Sequence, residues 1–132
     1  MITNILSTTV FVNDQDRALD FYVGKLGFEK QTDQPMGGPG APRWIAVAPK
    51  GAQTALVLYK PTPEMPGASS YELATALIGT FAPFIFRVDD MTTIYDELSA
   101  KGVEFGDRPA QQPWGWWATI KDPDGNVIGL HD

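Results

Sequence analysis

The sequence predicts an α+β fold built from two strand–helix–three-strand (βαβββ) units whose strands make a curled mixed sheet. Three observations lead there. Short β-branched and apolar runs alternate with two stretches of helical periodicity. The order strand, Asp cap, amphipathic helix, Lys, Gly, apolar residue, Glu occurs twice. It runs from Val12-Asn13-Asp14 through Lys25-Leu26-Gly27-Phe28-Glu29, and again from Val88-Asp89-Asp90 through Lys101-Gly102-Val103-Glu104. A turn signature, Asp122-Pro123-Asp124-Gly125-Asn126, joins the last two strand-like runs. An internal duplication identifies an architecture better than any single motif. We expect one domain over residues 1–132: unit one 1–60, a connection 61–80 and unit two 81–132.

Each element has a local reason. Ile5 to Val12 is β-branched and apolar, and Asn13-Asp14 supplies a helix N-cap. Ala18, Leu19, Phe21, Tyr22 and Leu26 recur at helical spacing, and Gly27 ends the helix. Phe28 to Thr32 reads as a strand, and the Gly- and Pro-rich stretch Asp33 to Pro42 as a loop. Arg43 to Ala48 and Thr54 to Lys60 are strands joined at Pro49-Lys50-Gly51. Pro61, Pro63, Pro66 and Gly67 break regular structure, after which Ser69-Ser70-Tyr71-Glu72 resembles a capping box opening a short helix. Such a connection serves as a lid or as a tether, and nothing chemically distinctive in it points to a lid. Phe84 to Val88 is a strand, Asp89-Asp90 caps a helix from Met91 to Lys101, and Val103-Glu104-Phe105 starts another strand. Trp116 to Lys121 and Val127 to His131 form the closing hairpin.

At 132 residues, with 43% hydrophobic and 20% charged residues, the chain can bury its own core. It has no cysteine, which excludes disulfides, thiolate zinc sites and a cysteine nucleophile, and fits a cytoplasmic setting. No signal peptide and no membrane-length apolar run are read from it. A formal charge of -6 argues against a nucleic-acid surface. Acidity favours cationic ligands, or simply solubility. Gly37-Gly38-Pro39-Gly40 lacks the Gly-Lys-Ser/Thr ending of a phosphate loop and opens no helix. Helix capping accounts for the paired carboxylates Asp14-Asp16 and Asp89-Asp90.

With the duplication, the segment Asp14 to Phe28, the segment Val88 to Val103 and the Asp122–Asn126 turn in this order, the chain resembles the vicinal oxygen chelate superfamily. That group includes glyoxalase I, extradiol dioxygenases and the fosfomycin and bleomycin resistance proteins. The resemblance covers nearly the whole chain and speaks to fold more than activity. Its metalloenzymes hold a divalent cation with His, Glu or Gln side chains on the concave face of the sheet. Carried over one at a time, those positions fall at Ser7, near Leu56 (within one residue), at Pro83 and at Gly129. None is a metal ligand. The resemblance therefore implies no metal and no cofactor, and metal-dependent chemistry loses its warrant.

The candidate ligand-binding residues are Ser7, Thr9, Phe11, Trp44, Leu56, Pro83, Ile85, Trp114, Trp116, Gly129 and His131. Ser7, Thr9 and Phe11 alternate on the expected inner face of the first strand, with Thr8, Val10 and Val12 toward the helix. Alternation puts Trp114 and Trp116 on one face and Trp117 on the other. If Ile120 pairs with Val127, the face of Trp114 and Trp116 also holds Gly129 and His131. These rings either wall a pocket for a flat or cationic ligand, at ~0.5–2 kcal/mol per contact, or fill the cavity or a subunit interface. His131, the one histidine, is either an inert terminal residue or a proton donor or acceptor. Arg87 either meets an anionic ligand or pairs with Asp89 or Asp90.

Three functions follow as expectations. The first is a homodimeric, metal-independent binding protein that takes a small organic molecule in an aromatic-lined cup, as the bleomycin resistance members of the resembled family do. The second is a glyoxalase-like lyase or isomerase (lactoylglutathione lyase-like) or a dioxygenase-like enzyme. The third is a remnant whose cavity is filled and whose role is assembly. Neither nucleic acid nor membrane is an expected partner.

Overall fold

The computed structural model describes residues 1–67 and 70–132. The chain divides into two compact units, Met1–Ile78 and Gly79–Asp132. Each is a mixed sheet with helical packing on it.

In the first unit, β1 (Ser7–Phe11) leads into α1 (Gln15–Leu19), which widens into a π-helical turn at Asp20–Lys25. Then come β2 (Glu29–Pro35), β3 (Arg43–Ala48), β4 (Ala55–Tyr59) and α2 (Ser70–Leu77). The strand order is β1-β4-β3-β2, with β1 parallel to β4 and the other pairs antiparallel. The Asp14 carboxylate caps α1 by accepting the Arg17 N–H at 3.0 Å. Gln15 then ties α1 to the sheet. Its side chain is buried, donates to the Arg43 and Leu58 carbonyls at 2.7 and 2.9 Å, and accepts the Arg43 N–H at 3.0 Å. Apolar Val10, Val12, Ile45, Val47, Leu56 and Leu58 are all buried, as are Ala18, Phe21 and Tyr22.

The second unit repeats this plan. It contains β5 (Phe81–Arg87), α3 (Met91–Ala100), β6 (Glu104–Phe105), β7 (Ala110–Gln112), β8 (Gly115–Lys121) and β9 (Val127–His131). The order is β5-β9-β8-β6, with β7 also on β8 and β5 parallel to β9. First strand beside last, in parallel, is the arrangement of unit one. Asp90 caps α3 through the Thr93 N–H at 3.2 Å, as Asp14 caps α1. Met91, Leu98, Val103, Ala118, Ile120, Ile128 and Leu130 form the buried core.

Three expectations need correction. Asp33 to Pro35 belong to a strand rather than a loop, because β2 pairs with β3 as far as Pro35 opposite Arg43. The ion pair Arg43–Asp33, 2.9 Å, sits on that extension. The strand expected at Phe84 begins at Phe81 and runs through Pro83. A proline is tolerated there because β5 is an edge strand and its register shifts between Phe81 and Ile85. The polar triplet of β7 carried no strand signal and is recruited by β8. Of the expected capping box, Ser69 lies outside the described residues. The helix after it is α2, and its Ala74 is buried.

Candidate functional site

On the sheet of the first unit, the parallel register aligns Ser7 with Ala55, Thr9 with Val57 and Phe11 with Tyr59. Laterally aligned side chains share a face, so Ser7, Thr9 and Phe11 stand together with Val57 and Tyr59. Trp44 joins them. Its ring meets Tyr59 edge-on at 6.2 Å, and Phe11 meets Tyr59 edge-on at 6.0 Å. Tyr59 is thus the centre of an aromatic trio that the sequence reading missed. Two-residue counting from Ala55 was the signal for it. Leu56 is corrected: it aligns with Thr8, faces the helix side and is 3% exposed. The residue beside Thr9 is Val57, an alkyl group with no donor for a cation.

In the second unit the hairpin register decides the site. The Asp122 carboxylate accepts the N–H groups of Asp124 and Asn126 at 2.9 and 3.0 Å, and the Asn126 amide at 2.8 Å. The Asp122 N–H donates to the Asn126 carbonyl at 3.0 Å. This clamp sets Asn126 across from Asp122, so Val127 pairs with Lys121 and Ile120 with Ile128. The expected pairing of Ile120 with Val127 is off by one residue, and a slip of one exchanges the faces. Trp117 and Thr119, opposite His131 and Gly129, share the face of those two residues. Trp116 is corrected to the other face, with Ala118 and Ile120. Its backbone N–H donates to the Asp132 carboxylate at 2.9 Å.

Trp114 returns to the first face by another route. Gly115, the first residue of β8, has φ +128°, which breaks the alternation there and turns the Trp114 side chain. The Trp114 ring lies 5.0 Å from His131 and 6.1 Å from Trp117. Ile85 aligns with Gly129 and Arg87 with His131, so both flank these rings. Ile85 is 55% exposed and Trp114 57%, and Pro83 is exposed beside them on β5.

Gly129 explains the arrangement. A Cβ at this position would collide with the benzene edge of Trp117, which lies across the glycine backbone. The place where the resembled metalloenzymes carry a carboxylate is roofed by an indole. A cation needs several convergent N or O donors. Among the described residues no group of three His, Asp or Glu is placed to supply them. His131 Nδ1 instead meets the Asp132 carboxylate at 3.1 Å. The residues present do not fit a divalent metal, and what they offer chemically is ring faces, alkyl surface and a few hydroxyls.

Electrostatics are concentrated at the caps. The Arg17 N–H lowers the Asp14 carboxyl below its ordinary range, and the Thr92 hydroxyl followed by the Thr93 N–H lowers Asp90. Burial would raise Asp33, but hydrogen bonds from Arg43 and Lys30 outweigh it and lower the group. Its partner Arg43 is raised, first by Asp16 at 2.8 Å. All these charges serve the fold. Among the described residues no helix is long and apolar enough to cross a membrane.

Comparison with known proteins bears on the fold and the family. A Bacillus subtilis (strain 168) protein, YetH, is 37% identical over 132 residues, the full length of both chains. The crystal structure of TnmS3, an antibiotic binding protein from Streptomyces sp. CB03234, is 41% identical with a TM-score of 0.76, covering 98% of this chain and 95% of that one. A structure from Sphaerobacter thermophilus DSM 20745 has 32% identity and a TM-score of 0.79, covering 98% and 97%. Residues 4–130 match the family model itself. With its duplicated sheets and this match over almost its whole length, the chain belongs to the Glyoxalase/Bleomycin resistance protein/Dioxygenase superfamily.

Proposed function

We propose that this protein binds a small organic molecule without a metal, seating its flat, apolar part on the rings of β8 and β9. The observation that carries the reading is Trp117 lying across Gly129, with Trp114 and His131 beside it. An exposed indole next to a second indole and an imidazole is a stacking surface for aromatic ligands, at ~0.5–1.5 kcal/mol per ring pair beyond area burial. The likeness to TnmS3, an antibiotic binding protein, supports a small-molecule ligand of the antibiotic kind. The donor set argues against the lyase, isomerase and dioxygenase readings, whose chemistry needs a bound cation.

Homodimerisation belongs to the same proposal. β1 and β5 stand at the ends of their sheets, and Ile5, Leu6, Phe81 and Ile85 are more than half exposed. Open edges with apolar neighbours favour pairing with a second copy. A cytoplasmic location goes with the cysteine-free sequence.

The test is titration of the purified protein with a panel of fused-ring antibiotics and with bleomycin, read by tryptophan fluorescence and by melting temperature. Quenching with a rise in melting temperature for at least one fused-ring compound is expected, together with a loss of about three- to tenfold in affinity in Trp114→Ala. No response across the panel, or a melting rise at micromolar zinc, nickel or manganese, would overturn the reading.

A further inference from the structure

A cavity lies in the first unit and is lined by residues of that unit alone. It measures about 710 Å³, within the range of roughly 300–1,000 Å³ that suits a drug-sized ligand. Two hydrogen-bonded turns form its walls. In one, the Met36 N–H donates to the Pro42 carbonyl at 3.2 Å and the Ala41 N–H to the Gly38 carbonyl at 3.0 Å. In the other, the Met65 N–H donates to the Thr62 carbonyl at 3.1 Å. The lining residues include Met36, Pro39, Tyr59, Thr62, Glu64 and Met65.

The chemistry of that lining is selective. Thioethers, prolines and a phenol ring receive an apolar body, and methionine adapts to irregular shapes. Tyr59 is held by the edges of Phe11 and Trp44, so its ring is a fixed wall. Glu64 supplies the single full charge in the lining, and among the described residues it has no hydrogen-bond or ion-pair partner. A carboxylate without a partner at the rim of an apolar pocket favours a cation, and the chain's net charge of -6 adds to that field.

We infer that the cavity between the Met36–Pro42 and Thr62–Pro66 turns is a binding site for an apolar organic monocation, its body against Met36, Met65 and Tyr59 and its charge beside Glu64. This goes beyond the ring surface of the second unit and uses none of its residues.

Tetraphenylphosphonium and tetraphenylborate have nearly the same shape and opposite charge, so calorimetric titration of both separates charge from shape. The wild-type protein is expected to bind the phosphonium at least about tenfold more tightly than the borate, and Glu64→Gln to lose about three- to tenfold for the phosphonium alone. Trp114→Ala should bind the phosphonium as the wild type does. In protein labelled at the methionine methyls, the cation should shift Met36 and Met65 and leave buried Met91 in place. Equal affinity for the two ions, an unchanged Glu64→Gln, or shifts absent at Met36 and Met65 would overturn the inference. Loss of phosphonium binding in Trp114→Ala would do so too, by moving the cation to the rings of β8 and β9. Glu64 sits on an exposed turn, so its amide variant folds as the parent does. Failure of fused-ring compounds to bind the second unit leaves this result independent.

Discussion

A single missing side chain shapes the second unit. Gly129 is buried under Trp117, and any Cβ there must displace the indole. We expect Gly129→Ala to destabilise the protein by about 1–3 kcal/mol in urea unfolding, the usual range for overpacking. Adding Trp117→Ala to that variant should make the glycine substitution nearly neutral, since the collision is then gone. A double-mutant cycle measures this directly, and additivity of the two changes would show that the ring does not rest on the glycine. For the same reason Gly129→Glu should not create a cation site. Its melting temperature should stay unmoved by zinc, nickel or manganese. At this scale the sequence was legible in part. The absence of donors at Ser7, Pro83 and Gly129 could be read directly, whereas the ring that replaces them could not. Trp116 and Trp117 are adjacent, and only the register tells which of them faces Gly129.

Among the elements, the hairpin turn and the helix caps bear the most. Asp122 is buried and accepts three hydrogen bonds, while Asn126 passes the turn's order on by accepting the Gly79 N–H at 2.7 Å. Asp122→Ala removes the acceptor of these hydrogen bonds and should cost about 2–4 kcal/mol by chemical denaturation. Because the same carboxylate sets the β8–β9 register, that variant should also change the tryptophan fluorescence of the folded state. The caps and the Asp33–Arg43 pair make a statement about pH. Asp14, Asp33 and Asp90 all titrate below the ordinary carboxylate value in the folded protein. A lowered folded pKa contributes stability that is full above the unfolded value of about 3.9 and disappears as pH falls through the folded one. Stability should therefore be level from neutral pH down to about 5 and decline below 4. A midpoint that rises on acidification through this window would contradict the assignment. Both caps were readable from Asp14 and Asp90 beside the helical periodicity. The strand in β7 was not, because Ala110, Gln111 and Gln112 pair only through the neighbour that β8 offers them.

At the scale of the molecule, two sheets with the same strand order leave β1 and β5 at their edges. If a second copy covers these apolar edges, light scattering after gel filtration should give about 29 kDa, twice the 14.4 kDa chain. Ile85→Asp should then shift the protein toward monomer. A monomeric wild type would remove the homodimer from the proposal. The sequence by itself determined the duplication and the helix caps, because both are written in local residue types and their spacing. Tertiary structure decided which rings meet and where cavities open. A strand's inward face is set by its partner's register, and one residue of slip, here governed by the buried Asp122–Asn126 clamp, exchanges Trp116 for Trp117.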